Sequence, residues 1–278
     1  MIETATQLKA KVRNLSGGDS KKAQTLIRNF IMERFLERVA LSRYRNNFIL
    51  KGGMLVAAVV GLDTRATMDI DTTVKSLNLD KQNATGIIED IIAVEIPDGV
   101  RFRITKVTDI MEEHDYPGIR FMLEATLDKM HQAIKIDIST GDIITPRAVE
   151  YSYRLMFENR AISLWTYNLE TLLAEKLETI MARGTANTRM RDFYDIHVIS
   201  QQESFDTEVL KKAFLATSEK RDTTVQIPDF RSILSSVESD EVMKRQWETF
   251  KEDSFFVGEL SWENVMGSVK ELAAEVIS

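Results

Sequence analysis

The chain has 278 residues, 44% of them hydrophobic and none a cysteine, with a formal net charge of −7. That length supports one large domain or two modest ones with cores of their own, and the lack of cysteine excludes disulfides and thiolate metal sites. The acidic balance excludes a protein that coats nucleic acid with its whole surface, because phosphate binding needs a positive field.

Met1 to Lys11 carry no apolar leader core, and the longest small-and-apolar run, Met54 to Leu62, is too short to span a bilayer. The expectation is a soluble, cytoplasmic protein with no membrane partner. Charge is unevenly spread: residues 1–51 hold 11 Lys and Arg against four acids, so this segment is +7 and the remainder −14. Such a flank can steer a polyanion or form an ordinary solvated helix face, and the sequence leaves both open.

From Ser20, the residues Ala23, Leu26, Ile27, Phe30, Ile31 and Phe35 recur at helical steps and predict an amphipathic helix. A short apolar strand, Asn47 to Leu50, is closed by Lys51-Gly52-Gly53 and followed by a small-residue helix from Met54 to Val60. Met68 to Val74 alternates as a strand does, with Asp69, Asp71 and Thr73 on one face. A helix is expected over 80–94 and strands over 100–107, 118–127 and 132–139. Asn168 can cap a helix reaching about Arg183, a basic loop follows with Arg183, Arg189 and Arg191, and a helix starts near Asp192. Three more helices are expected over 206–219, 237–250 and 261–277, while Pro97, Pro117, Pro146 and Pro228 fall between elements. The fold class is α+β: a mixed-sheet domain with an N-terminal helix over 1–165, then an all-helical domain over 166–278.

Asp69 and Asp71, one residue apart in a strand pattern, leave the sheet on the same side. Two like charges so close destabilise a strand unless a divalent cation sits between them, and Mg²⁺ prefers one or two carboxylates plus phosphate oxygens. Asp137 repeats the pattern with Lys135 and Ser139 opposite Ile134, Ile136 and Ile138, so a third carboxylate can complete a metal site or act as base. Gly52-Gly53 at a strand-to-helix turn offers bare N–H groups to a triphosphate. Solvated strand residues and an ordinary tight turn are the plainer alternatives. His114, His131 and His197 lack ligand spacing, which argues against zinc, and Gly17-Gly18-Asp19-Ser20-Lys21 lacks the spacing of a P-loop.

On the 169–183 helix, Lys176 falls near the centre of the stripe formed by Leu169, Leu172, Leu173, Leu177 and Ile180. An inward lysine needs a counter-charge. It can pair with Asp192 or Asp195, or reach a nucleotide's phosphates. Asp192, Asp195, Ile196 and Ile199 share a face of the next helix, so Asp195 stands between a site role and structural pairing. The Arg183, Arg189 and Arg191 loop stands between phosphate contact and solvation.

Gly52-Gly53, Arg65 and Asp69-Ile70-Asp71 resemble the nucleotidyltransferase signature of two small residues followed by Asp-x-Asp. LKGGMLVAAVVGLDTRATMDID, ETLLAEKLETIMAR and RMRDFYDIHVI are similar to the AbiEii/AbiGii toxin branch of that superfamily, over about residues 48–200. Here a second glycine stands where serine is frequent, which shifts phosphate binding toward the backbone. The expected Mg²⁺ ligands are Asp69 and Asp71, with Asp137 completing the site or accepting a proton, and Lys51, Gly52, Gly53, Arg65 and Lys176 are expected around the NTP. The catalytic residues expected are Asp69, Asp71, Asp137, Lys176 and Asp192, in a cleft between the domains, and for Lys176 the phosphate role is the one favoured by the resemblance. The resemblance also implies a toxin–antitoxin or phage-defence role, with tRNA or another RNA as acceptor and a cognate antitoxin as partner. A non-catalytic nucleotide-binding regulator and an antibiotic-type small-molecule nucleotidyltransferase are the rival readings.

Overall fold

The computed structural model describes residues 1–77, 80–110 and 118–277. His114 and Pro117 lie outside the described residues. The chain forms two compact units: Met1–Ala58, Ala66–Asp142 and Val149–Thr166 make the first, and Val59–Arg65, Ile143–Ala148 and Tyr167–Ser278 the second.

The first unit is built on a seven-stranded mixed sheet. Its helices are α1 (Ala5–Ser16), α2 (Ser20–Leu41), α3 (Gly52–Val60) and α4 (Lys81–Ile92). Its strands are β1 (Phe48–Lys51), β2 (Asp69–Val74), β3 (Val100–Ile110), β4 (Gly118–Leu127), β5 (Met130–Thr140), β6 (Val149–Arg154) and β7 (Ala161–Thr166), in the order β3-β4-β5-β2-β1-β7-β6. β2 runs parallel to β5, and β1 parallel to β7; the other neighbours are antiparallel. Ile70, Phe121, Leu123, Ile134, Ile136 and Ile138 are buried along the apolar face, each worth about 1.5–3 kcal/mol of transfer free energy. α2 packs against β5 and β7, and α4 against β3.

α1, absent from the sequence-based expectation, has only Leu8 and Val12 as buried apolar side chains, too sparse a stripe to announce it. Its ends are nonetheless well specified: Thr4 and Gln7 form a capping box, and Gly17 closes it in the left-handed region. α2 has the expected start, with Asp19 as N-cap accepting from the Lys22 N–H. The β6–β7 pair was also not anticipated, because four of the six side chains of β6 are exposed.

The basic N-terminal segment is neither wholly a polyanion track nor wholly a solvated face. Arg34 and Arg38 of α2 are buried in ion pairs. Arg38 donates to both Asp98 oxygens at 2.7 and 3.0 Å and to the Val100 carbonyl at 2.8 Å, and Arg34 reaches Glu158 at 3.1 Å and Glu37 at 2.9 Å. Glu33, on the same helix, accepts from the Met156 N–H with both oxygens (3.2 and 3.0 Å) and from Asn29 Nδ2 at 3.1 Å. Burial pushes the Glu33 carboxyl up to about 7 despite those donors and Arg34.

The second unit carries α5 (Leu169–Arg183), α6 (Met190–Gln202), α7 (Thr207–Lys220), α8 (Phe230–Ser239), α9 (Glu241–Asp253) and α10 (Trp262–Ile277). Asn168 caps α5 by accepting from the Thr171 N–H. α6 begins at Met190, two residues ahead of Asp192, which falls in its first turn. The single helix expected over 237–250 is in fact two, because Asp240 ends α8 and its side chain accepts from the Val242 and Met243 N–H groups to start α9. Trp247 and Trp262, with ring centroids 5.9 Å apart, join Phe193 and Phe250 in an aromatic core.

Candidate active site

Strand register gathers the acidic side chains. Asp71 pairs with Asp137 across the parallel β2–β5 ladder, and Asp69 with Lys135. On the outer sides Lys51 pairs with Asp71 and Arg120 with Asp137. One row across four strands therefore reads Lys51, Asp71, Asp137, Arg120, with both negative charges at the centre and a cation at each end. Directly paired residues project from the same face. Asp69, Asp71 and Asp137 each present a carboxylate oxygen within 4.8 Å of the others.

The carboxylates do not share their environment equally. Arg120 grips Asp137 in a fork, Nε to Oδ1 and Nη2 to Oδ2, both at 2.7 Å. Lys135 Nζ lies 2.5 Å from Asp69 Oδ2 and 3.8 Å from Asp137 Oδ2. Asp69 also accepts from the Thr67 hydroxyl at 3.2 Å. Burial pushes the Asp71 carboxyl up to about 7, the charges of Asp69 and Asp137 push the same way, and Lys51 and Lys135 only partly offset them. Three hard carboxylate donors in mutual repulsion, with no sulfur or imidazole among them, fit a hard divalent cation.

The glycine turn borders this cluster directly. β1 ends at Lys51 and α3 begins at Gly52 with no intervening loop. Gly52 has φ +64, and a Cβ on it would fall 2.2 Å from Asp71 Oδ2. Glycine is thus required twice, by the left-handed backbone and by the carboxylate lying against it. The N-terminus of α3, where backbone N–H groups lack helical partners, opens next to the acidic row. Lys51 Nζ lies 2.5 Å from Asp142, which also accepts from the Ser139 hydroxyl at 2.8 Å.

The remaining expected site residues belong to the second unit and form a cluster of their own. Lys176 Nζ sits 2.8 Å from Asp192 Oδ1 and 2.7 Å from Asp195 Oδ2. Arg65 forks onto Asp195 at 2.5 and 3.2 Å. Asp195, with none of its surface exposed, is held below the ordinary carboxylate range: burial opposes this, but Arg65 and Lys176 outweigh it. Burial likewise works against the Lys176 ammonium, yet Asp192 and Asp195 hold its pKa above the usual value. Lys176 thus has both of the counter-ions weighed for it in the sequence. Arg65 is committed to Asp195 and is 2% exposed. Of the basic loop, Arg189 approaches Asp192 at 3.9 Å.

Arg120, Lys135 and Asp142 were not singled out from the sequence. Arg120 could have been found: the two-residue turn Asp128-Lys129 between β4 and β5 pairs Leu127 with Met130, and counting back from it places Arg120 opposite Asp137.

A mixed sheet carrying three convergent carboxylates beside a glycine-opened helix provides oxygen ligands for a cation and N–H donors for phosphates, and the class it defines is a nucleotidyltransferase. The chain belongs to the AbiEii family, described as the nucleotidyl transferase toxin of a type IV toxin–antitoxin system, whose model matches residues 34–268. That family implies an NTP substrate and a cognate antitoxin. Solved structures similar to the chain include JHP933 from Helicobacter pylori, at 16% identity over 91% of each chain and a TM-score of 0.49. Another is an antigenic nucleotidyltransferase-like protein from Paracoccidioides brasiliensis, at 14% identity over 84% of this chain and 94% of that one, with a TM-score of 0.40. No curated protein matches the chain. Among the described residues no helix is long and apolar enough to cross a membrane.

Proposed function

We propose that the protein is a Mg²⁺-dependent toxin of the cytoplasm that moves a nucleoside monophosphate from an NTP onto an RNA acceptor, tRNA being the first candidate. The observation that carries this reading is the convergence of Asp69, Asp71 and Asp137 within 4.8 Å beside the start of α3. Asp69 and Asp71 would hold Mg²⁺, with Asp137 completing the set. When bound, the ion supplies charge neutralisation at the phosphates and Lewis acidity toward them. Gly52 and Gly53 present backbone N–H groups to the triphosphate, and Lys51 adds a cation at the end of the same row. An acceptor hydroxyl attacks the α-phosphorus, the bond to the β-phosphate breaks, and pyrophosphate leaves with the electron pair. Asp137, held in a fork by Arg120, would take the hydroxyl proton in the alternative in which it does not complete the metal set.

In the second unit, Lys176 and Asp192 are proposed to matter for transfer. Asp195 and Arg65 are proposed to position Lys176 through the buried ion pairs that they share. The test is incubation with α-labelled NTPs and total RNA. Label in a discrete RNA band supports the reading. Label confined to small molecules would favour an antibiotic-type acceptor instead, and no transfer at all would remove the reading.

A further inference from the structure

The polar face that bears the acidic row continues across β5, β4 and β3 as a basic surface. Beyond the Asp137–Arg120 pair lies a row in which Lys135, Met122 and Lys106 are neighbours on successive strands. The next row holds Ala133, Glu124 and Arg103, and the one after it Thr126 and Arg101. The cations are Arg101, Arg103, Lys106, Arg120 and Lys135. Three of them are paired with acids, Arg103 with Glu124 at 2.9 Å, Arg120 with Asp137 at 2.7 Å and Lys135 with Asp69 at 2.5 Å. Arg101 and Lys106 are exposed and have no ion-pair partner among the described residues. In a chain of net charge −7 this is a local reversal of sign.

A defect in the ladder builds this surface. Arg101 and Arg103 share a face by period-two alternation, which would send Lys106 to the other side. The register shifts between Ile104 and Lys106, and the extra residue, Thr105, brings Lys106 and Thr108 onto the face of Arg101 and Arg103. A bulge of this kind re-aims a side chain at a cost in pairing, and such bulges recur beside active sites. The opposite face is covered: Phe102 meets Phe35 of α2 edge-on at 6.1 Å.

We propose that this face of β3, β4 and β5 is the acceptor surface, on which the phosphodiester backbone of RNA lies with its reacting end at Asp137. The proposal rests on the nucleotidyl-transfer reading above and adds where the acceptor binds. Charge complementarity and continuity with the acidic row select a polyanion as the occupant. The seven residues from Arg120 to Thr126 on β4 span about 20 Å, room for several phosphates. Spacing between neighbouring cations is within the Debye length of about 10 Å at moderate salt, so their fields add.

The test uses the full chain and a short fluorescent RNA, with single-stranded DNA of equal length as a second probe, over a range of salt. Arg101→Glu combined with Lys106→Glu is expected to weaken RNA binding at least tenfold and to make the log–log salt slope shallower by about 1.4 for two lost phosphate contacts. The rise in melting temperature that Mn²⁺ produces is expected to stay as in wild type, since neither residue touches the carboxylates. Arg101→Gln with Lys106→Gln, a milder pair, should weaken binding in the same direction. Lys9→Glu with Lys11→Glu on α1 is the control, expected to bind RNA as wild type does. Unchanged binding in the 101/106 variants, equal loss in the control, or wild-type binding of DNA but not RNA overturns the surface. RNA that binds here in wild type and is lost in the variant, yet never takes up label, supports the surface and sinks the transfer reading alone.

Discussion

Gly52 and Asp71 are in contact closer than any side chain would allow: a Cβ on Gly52 would stand 2.2 Å from Asp71 Oδ2 and 2.9 Å from its Cβ. The glycine turn and the acidic strand are therefore one structure. Gly52→Ala must either displace Asp71 from the row it shares with Asp137 or distort the start of α3, and at φ +64 it is strained in addition. The expected outcome is loss of nucleotidyl transfer by two orders of magnitude or more. A fall in thermal stability of about 1–3 kcal/mol should accompany it. Label transfer and a melting curve on the same preparation check both.

Lys135 and a divalent cation would compete for the same carboxylate oxygens, since Nζ lies 2.5 Å from Asp69 and 3.8 Å from Asp137. Removing its charge should make the site more attractive to metal. Lys135→Met is expected to bind Mn²⁺ about tenfold more tightly, a change of about 1.4 kcal/mol that is modest beside the Coulomb energy of such a pair at an effective dielectric near 20. Isothermal titration with Mn²⁺ reads this directly. Weaker binding would mean that Lys135 supports the ligands and does not compete.

Asp192 and Asp195 flank the same ammonium but differ in burial, and their variants should separate. Asp195→Asn leaves Arg65 and Lys176 in a buried site with one anion too few, and about 3–5 kcal/mol of stability should go with it. Asp192, 14% exposed in its side chain, keeps Lys176 paired with Asp195 when it is lost. Asp192→Asn should therefore melt close to wild type while transferring label at least tenfold more slowly. Denaturant titration and the transfer assay together decide.

Stability should carry a pH signature from Glu33. Its carboxyl holds the proton to about pH 7 in the folded chain, against 4.5 as its ordinary value. In that window the folded state binds more protons, so this contribution favours folding below pH 4.5 and is lost as pH rises through 7. The full swing is about 3 kcal/mol. Glu33→Gln keeps an acceptor for the Met156 N–H without the charge, so the variant's stability relative to wild type should climb between pH 5 and 8 and then level off. Asp71 titrates with the same sign, which is why the difference between variant and wild type, by urea denaturation at each pH, is the quantity to follow.

Much of the site was legible because strand alternation fixes faces. Asp69, Asp71 and Asp137 could be placed on polar faces from period-two patterns alone, and Lys176 could be seen to need an anion. What alternation cannot say is which strands are neighbours. The β2–β5 pairing that brings Asp71 to Asp137 joins strands 66 residues apart in register, and no local signal encodes it. Arg65 illustrates the converse. Its place in the signature suggested a nucleotide contact, while its guanidinium is committed to Asp195, 130 residues away. α1, β6 and the break at Asp240 were missed where the apolar pattern is thin or a cap interrupts it.

The most direct test of the central claim is label transfer from α-labelled NTPs to RNA with Mg²⁺, comparing wild type with Asp69→Asn and Asp137→Asn. Wild type should label a discrete RNA species and release pyrophosphate. Each variant should lose at least a hundredfold in rate while staying folded, and EDTA should abolish the wild-type reaction. Transfer by Asp69→Asn or Asp137→Asn at the wild-type rate would contradict the account.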